Sequence, residues 1–335
     1  MKITIFEVEA WEEKTFEPLR KEHEVHFVRQ ALTEKNAGDH ADADIVSVFI
    51  YSKLTKDVLE AFKNLKLVCT RSTGYDHIDM KTCRQKDIAV ANVPIYGENT
   101  VAEHVFALLM TISHNMYESI NRTRRGDFSP QGLQGFDLQG KTLGVVGTGH
   151  IGRHVIQIAK GFDMNVLAFD IEPDEEFQKH ADFEYTDLKT LLSSSDIITL
   201  HIPANEKTRH FISEEEFGMM KKGTIFINTA RGDVVDTRAL IHALSDETIA
   251  AAGLDVLAEE PTIREEAELM RSFFYKKHNL EDLLADHILL RLRNVYITPH
   301  NAFNTREALQ RILTTTLENI EAFNQGAPEN LINEG

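Results

Sequence analysis

The sequence is poor in cysteine, in positive charge and in long apolar runs, and each shortage argues against a class of protein. Only Cys69 and Cys83 are present among 335 residues, which argues against a disulfide scaffold and predicts a reducing, cytoplasmic compartment. The 36 lysines and arginines against 53 aspartates and glutamates give a formal charge of −17, which disfavours nucleic acid and anionic membranes as partners. The longest uncharged apolar stretch, from His104 to Tyr117, is shorter than the roughly 20 residues that cross a bilayer. No signal-peptide pattern precedes the first strand.

What remains is the composition of a globular protein of two domains. Apolar residues make up 42% and charged residues 27%, without internal repeats or biased tracts. Short β-branched runs alternate with amphipathic stretches, which predicts parallel sheets built from βαβ units. The predicted strands form two series, 2–8, 25–28, 45–50, 67–70 and 88–91, then 143–146, 166–169, 197–200, 225–228, 250–255 and 295–298. A long helix from about Asn99 to Arg125 separates the series, and a last helix, capped by Thr305 and ended by Gly326, must pack on one of the sheets.

A glycine-rich turn in the second series predicts a dinucleotide site. Gly147, Gly149 and Gly152 follow a buried strand and open a helix, the context in which the G-x-G-x-x-G spacing holds a pyrophosphate. Asp170 ends the next strand, where its carboxylate can accept hydrogen bonds from the adenosine ribose. Because that carboxylate repels a 2′-phosphate and no arginine follows it, NAD is predicted over NADP.

Two histidines at the start of the same helix raise the question of a metal ion. His150 and His154 are four residues apart, a spacing that could bind one. No carboxylate or thiol lies at a recognisable spacing, so no metal site is predicted.

Three strand ends of the second series carry residues suited to 2-keto acid reduction. Arg231 follows one strand, Glu260 lies in the loop after the strand that ends at Asp255, and His300 follows a third. Arg231 can bind a substrate carboxylate and polarise the keto oxygen. His300 can donate the proton, and Glu260 can hold its imidazole and raise its pKa. The alternative is that the three form only a salt-bridge network at the rim.

At these residues the chain resembles the D-isomer-specific 2-hydroxyacid dehydrogenase family, and within it the D-lactate and D-2-hydroxyisocaproate dehydrogenase branch. The resemblance runs in order through STGYDHID (72–79), VPIYGENTVAEH (93–104), DLQGKTLGVVGTGHIGR (137–153), LHIPANEKTRH (200–210), NTARGDVVD (228–236), GLDVLAEE (253–260) and TPHNAF (298–303). It implies Arg231, Glu260 and His300 as catalytic residues. The cofactor contacts that it implies are Gly147, Gly149, His150, Ile151, Gly152, Asp170, Ile202, Pro203, Thr208, Thr229, Ala230, Arg231 and Asp255. The substrate contacts are Thr73 and Gly74 beside Ser72, together with Tyr96, Arg231, His300 and Phe303.

The resemblance also implies an architecture and an activity. The fold expected is α/β, with two doubly wound parallel-sheet domains, Rossmann-like and flavodoxin-like. An NAD domain, 101–299, is inserted in a substrate domain formed by 1–100 and 300–335. The activity expected is NADH-dependent reduction of pyruvate or of a branched or aromatic 2-keto acid by a homodimer. Two alternatives stay open, a non-enzymatic NAD(H)-sensing regulator of the corepressor type and a glyoxylate or hydroxypyruvate reductase.

Overall fold

A computed structural model describes residues 1–258 and 280–332. The chain divides into two compact units. The described residues of Met1–Gly97 and Asn304–Gly335 form the first unit, and those of Glu98–Phe303 form the second. The second unit is thus an insertion in the first along the chain.

The first unit is built on a five-stranded parallel sheet. Its strands are β1 (Lys2–Phe6), β2 (Glu24–Val28), β3 (Ile45–Val48), β4 (Leu67–Thr70) and β5 (Ala89–Ala91). They lie in the order β2-β1-β3-β4-β5, and every neighbouring pair is parallel. This order reverses between β1 and β3, as in flavodoxin-like sheets, and ligands bind at the carboxyl ends of the strands beside such a reversal.

The second unit is built on a seven-stranded sheet in which every pair is again parallel. Its strands are β6 (Thr142–Val146), β7 (Asn165–Phe169), β8 (Glu184–Tyr185), β9 (Ile197–Leu200), β10 (Thr224–Asn228), β11 (Ile249–Leu254) and β12 (Val295–Ile297). The order is β12-β11-β10-β9-β6-β7-β8. The chain reverses direction across the sheet at β6, so the carboxyl ends of β6 and β9 mark the expected cofactor crevice. Strand β8 is absent from the predicted series, because two residues are too short to show a periodic pattern.

Helices cover the sheets. The α-helices of the described residues are α1 (Glu13–Phe16), α2 (Lys56–Glu60), α3 (Met80–Gln85), α4 (Glu98–Ser113), α5 (Met116–Arg124), α6 (His150–Gly161), α7 (Glu175–Ala181), α8 (Leu188–Ser194), α9 (Glu214–Met219), α10 (Thr237–Ser245), α11 (Leu280–Leu289) and α12 (Arg306–Asn324). Buried apolar clusters lie on both faces of the seven-stranded sheet. Helix α12 begins at the predicted cap, where Thr305 accepts a hydrogen bond from Ala308 N. It buries Leu313 and Ile320 in the core of the first unit.

The prediction of one helix from Asn99 to Arg125 is wrong. The chain forms α4 and α5 with a break at Asn115, whose φ of 49° lies in the left-handed region. Asparagine tolerates that conformation better than most residues. Its side-chain amide donates to the carbonyls of Leu133 and Gln134, which are remote in sequence. Contacts with a later segment therefore stabilise a break that local periodicity does not reveal.

Both cysteines are buried free thiols, as expected of core residues, and burial raises the pKa of Cys83 to about 11. Across residues 1–258 and 280–332, no helix is both long enough and apolar enough to span a membrane.

Candidate active site

The glycine-rich turn joins β6 to α6, and each glycine there faces a different constraint. Gly147 has a φ of 96°, and a Cβ built on it would lie 2.7 Å from the carbonyl oxygen of His201. A Cβ on Gly152 would lie 2.1 Å from the carbonyl oxygen of Gly147. A Cβ on Gly149 would meet nothing within 4 Å. The first and third glycines are therefore required by packing, whereas the second faces open space at the start of α6.

This open space suits a dinucleotide phosphate. No side chain of the described residues caps the N-terminus of α6 at Gly149, so the first N–H groups of that helix are available to an anion. Thr229, directly after β10, has a buried hydroxyl oxygen without a hydrogen-bond partner among the described residues. A buried hydroxyl is normally paired, and a cofactor at this edge could supply the partner. The residues present thus fit NAD.

The segment after β9 is a short turn at the same edge. Half-buried Ile202 and exposed Pro203 follow the strand, and the Thr208 hydroxyl donates to the carbonyl oxygen of Pro203 over 2.6 Å. The same hydroxyl accepts from Asn205 N at 2.8 Å. Thr208 therefore closes the turn that carries its neighbours in the predicted cofactor set.

Asp170 lies just beyond β7 and is held by the glycine turn. Its Oδ2 accepts from the backbone N and the hydroxyl of Thr148 at 2.6 and 2.9 Å, and its Oδ1 accepts from Glu172 N at 3.0 Å. Burial opposes ionisation, but the hydrogen bonds from Glu172 and Thr148 outweigh it, so the pKa of Asp170 lies below its ordinary value. The carboxylate is thus charged and fixed in orientation beside the glycine turn.

Arg231 lies in the loop after β10, and the backbone around it is held on two sides. The buried Asn228 accepts from Ala230 N at 2.9 Å and donates to the carbonyl of Arg231 at 3.0 Å. A Cβ on Gly232 would lie 2.2 Å from the carbonyl carbon of Leu257, so the loop after β11 packs directly against this backbone. Arg231 Nη1 donates to the carbonyl oxygen of Ala230 at 2.8 Å.

Asp255 organises the loop that carries His300. Its side chain is 1% exposed. It accepts from Thr298 Oγ1 at 2.5 Å, from Asn301 N at 3.0 Å and from Ala302 N at 2.9 Å. His300 adopts the left-handed region with a φ of 52°. The buried carboxylate therefore holds the residues on both sides of His300.

Strand register places the segments of Arg231, Asp255 and His300 at the carboxyl ends of three neighbouring strands in the seven-stranded sheet. In β10, β11 and β12 the residues Asn228, Leu254 and Ile297 are paired across the sheet. Because the strands are parallel neighbours, the segments that follow them leave the sheet at the same level. Glu260 lies outside the described residues, so its predicted contact with the imidazole is not part of this geometry.

In the first unit the predicted substrate residues follow β4 and β5. The Ser72 hydroxyl donates to the carbonyl of Gly74 at 2.6 Å, and the Thr73 hydroxyl donates to that of Val93 at 2.8 Å. The half-buried Tyr96 accepts at its carbonyl from Arg311 Nε of α12. The sixth substrate residue, Phe303, is half-buried at the end of the second unit.

Arg71, which directly precedes the predicted substrate loop 72–74, is the largest fully buried side chain of the described residues. Its guanidinium donates to Ser47 Oγ and to the carbonyls of Phe6 and Glu7 at 2.7 to 3.0 Å. It therefore joins the carboxyl ends of β1, β3 and β4 beneath the predicted substrate loop.

The second unit also matches a known sequence family. The family described as D-isomer specific 2-hydroxyacid dehydrogenase, NAD binding domain, matches residues 106–302. The chain belongs to the D-isomer-specific 2-hydroxyacid dehydrogenase family.

Relatives match over nearly the whole chain. A D-lactate dehydrogenase of Escherichia coli is 35% identical over 333 residues, covering 97% of this chain and 98% of that protein. A glyoxylate reductase of Korarchaeum cryptofilum is 37% identical over 298 residues, covering 88% and 83%. The crystal structure of D-lactate dehydrogenase from Aquifex aeolicus with NAD and lactic acid gives a TM-score of 0.86 at 34% identity, covering 99% of each chain. The predicted family, fold class, oxidoreductase activity and NAD cofactor are confirmed at the level of this 2-hydroxyacid dehydrogenase family.

Several residues that position the site in this family member were not predicted from the sequence. Asn228 and Thr298 hold the segments of Arg231 and His300. A polar residue at the end of an apolar strand is the signal that could have revealed Asn228. Thr148 donates to Asp170, and the Tyr185 hydroxyl contacts the Thr148 hydroxyl. Both pairings depend on strand order, which no local pattern shows.

Proposed function

We propose that this protein is an NAD-dependent D-2-hydroxyacid dehydrogenase that reduces pyruvate or a branched or aromatic 2-keto acid with NADH. The observation that carries the proposal is the common edge of β10, β11 and β12, from which the segments of Arg231, Asp255 and His300 leave at one level. An arginine for the carboxylate and an acid for the keto oxygen are the two groups that the reduction requires.

We propose the unit Glu98–Phe303 as the NAD domain and the other unit as the substrate domain. The first turn of α6, with His150 and Ile151, would hold the pyrophosphate, and Asp170 the ribose. The remaining contacts would come from Ile202, Pro203, Thr208, Thr229, Ala230, Arg231 and Asp255. Bound NADH would supply the hydride. The unpartnered hydroxyl of Thr229 and the uncapped helix support this assignment.

Arg231 would bind the substrate carboxylate and polarise the keto oxygen through charge-assisted hydrogen bonds. His300 would give its proton to that oxygen as negative charge develops there. Glu260 would hold the imidazole and favour its protonated form. Asp255 acts through the backbone of residues 298–302, so in this proposal it positions His300 in addition to its predicted role beside the cofactor.

The substrate domain would supply backbone N–H groups of Thr73 and Gly74 for the carboxylate. Tyr96 and Phe303 would line the pocket for the substrate tail. Aromatic walls favour an apolar or small tail over a phosphate or a sugar acid. This supports pyruvate and branched or aromatic 2-keto acids as the substrate class.

The proposal is tested by following NADH consumption with a panel of 2-keto acids and determining the chirality of each product. We expect turnover with D-2-hydroxy acid products. His300→Gln should lower turnover by about 10²–10⁴ while NADH still binds, and His242→Gln, on the exposed face of α10, is the matched control. Unchanged turnover in His300→Gln would remove the acid assignment. NADH binding without turnover of any keto acid would favour the non-enzymatic regulator instead.

Glyoxylate reduction is a second candidate, favoured by the relative named glyoxylate reductase. Glyoxylate and hydroxypyruvate belong in the same panel. A higher kcat/KM for either than for pyruvate and the larger keto acids would replace the lactate-type assignment, because the tail contacts of Tyr96 and Phe303 would then contribute little.

We also propose a homodimer that uses the segment around α5. No residue of α5 is buried in the single chain, and Tyr117, Ile120 and Phe128 are 64%, 42% and 80% exposed. Large apolar side chains that are exposed along one segment mark it as the candidate interface. Sedimentation should show a dimer that Ile120→Lys weakens, whereas Ile95→Lys, at an exposed apolar residue of the other unit, should leave the mass unchanged.

A further inference from the structure

An arginine lies in the network that surrounds Asp170, although residues 171–176, directly after it, include none. Arg153, on α6, donates from Nε to the carbonyl oxygen of Thr148 at 3.2 Å. Thr148 N and Oγ1 in turn donate to Asp170. Thr148 therefore links the Arg153 guanidinium to the Asp170 carboxylate that is assigned to the ribose.

The guanidinium is already engaged by a second carboxylate. Arg153 Nη2 donates to Asp174 Oδ2 at 2.7 Å, and its Cζ lies 5.1 Å from the centre of the Phe177 ring. Asp174 is the N-cap of α7, where its Oδ1 accepts from Phe177 N at 2.9 Å. The hydrogen bond from Phe177 and the charge of Arg153 hold the pKa of Asp174 below its ordinary value despite some desolvation.

A chain of hydrogen bonds also connects the Asp170 carboxylate to the backbone of Asp174. Asp174 N donates to the Tyr185 hydroxyl at 3.2 Å, and that hydroxyl lies 2.8 Å from Thr148 Oγ1. Because the Thr148 hydroxyl donates to Asp170, the Tyr185 hydroxyl is left to donate to Thr148. Asp170, Asp174 and Arg153 thus form one fixed group in which two negative charges outweigh one positive charge.

We propose that Asp174 is a second determinant of NAD over NADP, which acts by keeping Arg153 paired and so preventing it from binding a 2′-phosphate. A 2′-phosphate carries roughly −1.5 to −2 charge near neutral pH, and arginine is the side chain best suited to bind it. Asp170 repels that phosphate directly. Asp174 adds a second negative charge and keeps the Arg153 guanidinium of this network paired. The inference rests on the proposed ribose site at Asp170.

The experiment measures dissociation constants of NADH and NADPH by calorimetry for the wild type, Asp170→Ala, Asp174→Asn and the double variant. Asparagine can still cap α7 but carries no charge, so Asp174→Asn removes the ion pair and leaves the cap. In the Asp170→Ala background we expect Asp174→Asn to raise NADPH affinity relative to NADH by about tenfold or more, since a charge-assisted contact to phosphate becomes available. Adding Arg153→Gln should abolish that gain, and added salt should reduce it.

The role of Asp174 would be overturned if the double variant had the same ratio of NADPH affinity to NADH affinity as Asp170→Ala alone. A gain in that ratio that persists after Arg153→Gln would overturn it as well. Failure of the wild type to bind NADH would instead refute the proposed function. Failure of Asp170→Ala to change the ratio, with NADH still bound, would refute the ribose site itself. Thermal unfolding is followed for every variant, and Asp174→Ser, which also caps a helix, replaces Asp174→Asn if that variant loses its folded signal.

Discussion

Gly152→Ala should separate the glycine turn from α6 and thereby weaken NADH binding. The added Cβ would lie 2.1 Å from the carbonyl oxygen of Gly147 and 3.0 Å from its carbonyl carbon. Nonbonded heavy atoms are at their best at roughly 3.5–4 Å, so the start of the helix must move by more than about 1 Å. Both groups are backbone, so no rotamer change can relieve the clash.

The expected cost is that of overpacking a close contact, about 1–3 kcal/mol of unfolding free energy. The first-turn N–H groups of α6 move away from the turn that would hold the pyrophosphate, so NADH affinity should fall by about tenfold or more, which corresponds to about 1.4 kcal/mol. Urea unfolding measures the first quantity, and calorimetric titration with NADH measures the second.

Gly161→Ala is the matched control, because Gly161 is the last residue of the same helix and its Cβ would meet nothing within 4 Å. It should stabilise the fold by about 0.5–1 kcal/mol and leave the NADH affinity unchanged. If Gly152→Ala bound NADH as tightly as Gly161→Ala, the assignment of the α6 N-terminus to the pyrophosphate would be refuted.

Three further outcomes follow from the site. Asp255→Asn should lower both the unfolding free energy, by about 1–3 kcal/mol, and kcat. The new side-chain N–H₂ would face a donor of the His300 loop, such as Ala302 N, in place of a carboxylate oxygen. A wild-type kcat would contradict the positioning role of Asp255. Gly232→Ala, whose Cβ would lie 2.2 Å from the carbonyl carbon of Leu257, should displace Arg231 and raise KM for the keto acid more than the Kd of NADH, and equal effects on both would argue against that displacement. Burial lowers the pKa of His201 from 6.5 to about 3, so between these values the unfolded chain binds a proton that the folded protein does not, and stability falls as the pH falls. His201→Asn should reduce the slope of unfolding free energy against pH, to which one such group contributes at most about 1.4 kcal/mol per pH unit. Urea titrations from pH about 7 to about 5 measure that slope, and an unaltered slope would mean that other groups cause it.

Much of the fold follows from local pattern. Buried β-branched runs such as Ile197–Leu200 form strands with the predicted bounds, because a strand covered on both faces leaves a continuous apolar run. The predictions that failed concern local structure that depends on contacts with distant segments. Asn115 breaks a helix through contacts with residues 133 and 134. Strand β8 exists because β7 offers it an edge.

The sequence by itself determined the chemistry available to this 2-hydroxyacid dehydrogenase. The glycine spacing, the aspartate after the next strand, and Arg231 and His300 after later strands are all set by short-range order, since each depends on one strand and the turn that follows it. The tertiary structure decided which of these groups are neighbours. Strand order placed β10, β11 and β12 side by side, so that Asp255 holds the backbone of the His300 loop. It also placed the end of β7 beside that of β6, so that Asp170 contacts Thr148, the residue to which Arg153 donates. Pairing between distant segments depends on the burial of whole sheet faces and on hydrogen bonds across them, and no local spacing encodes that choice.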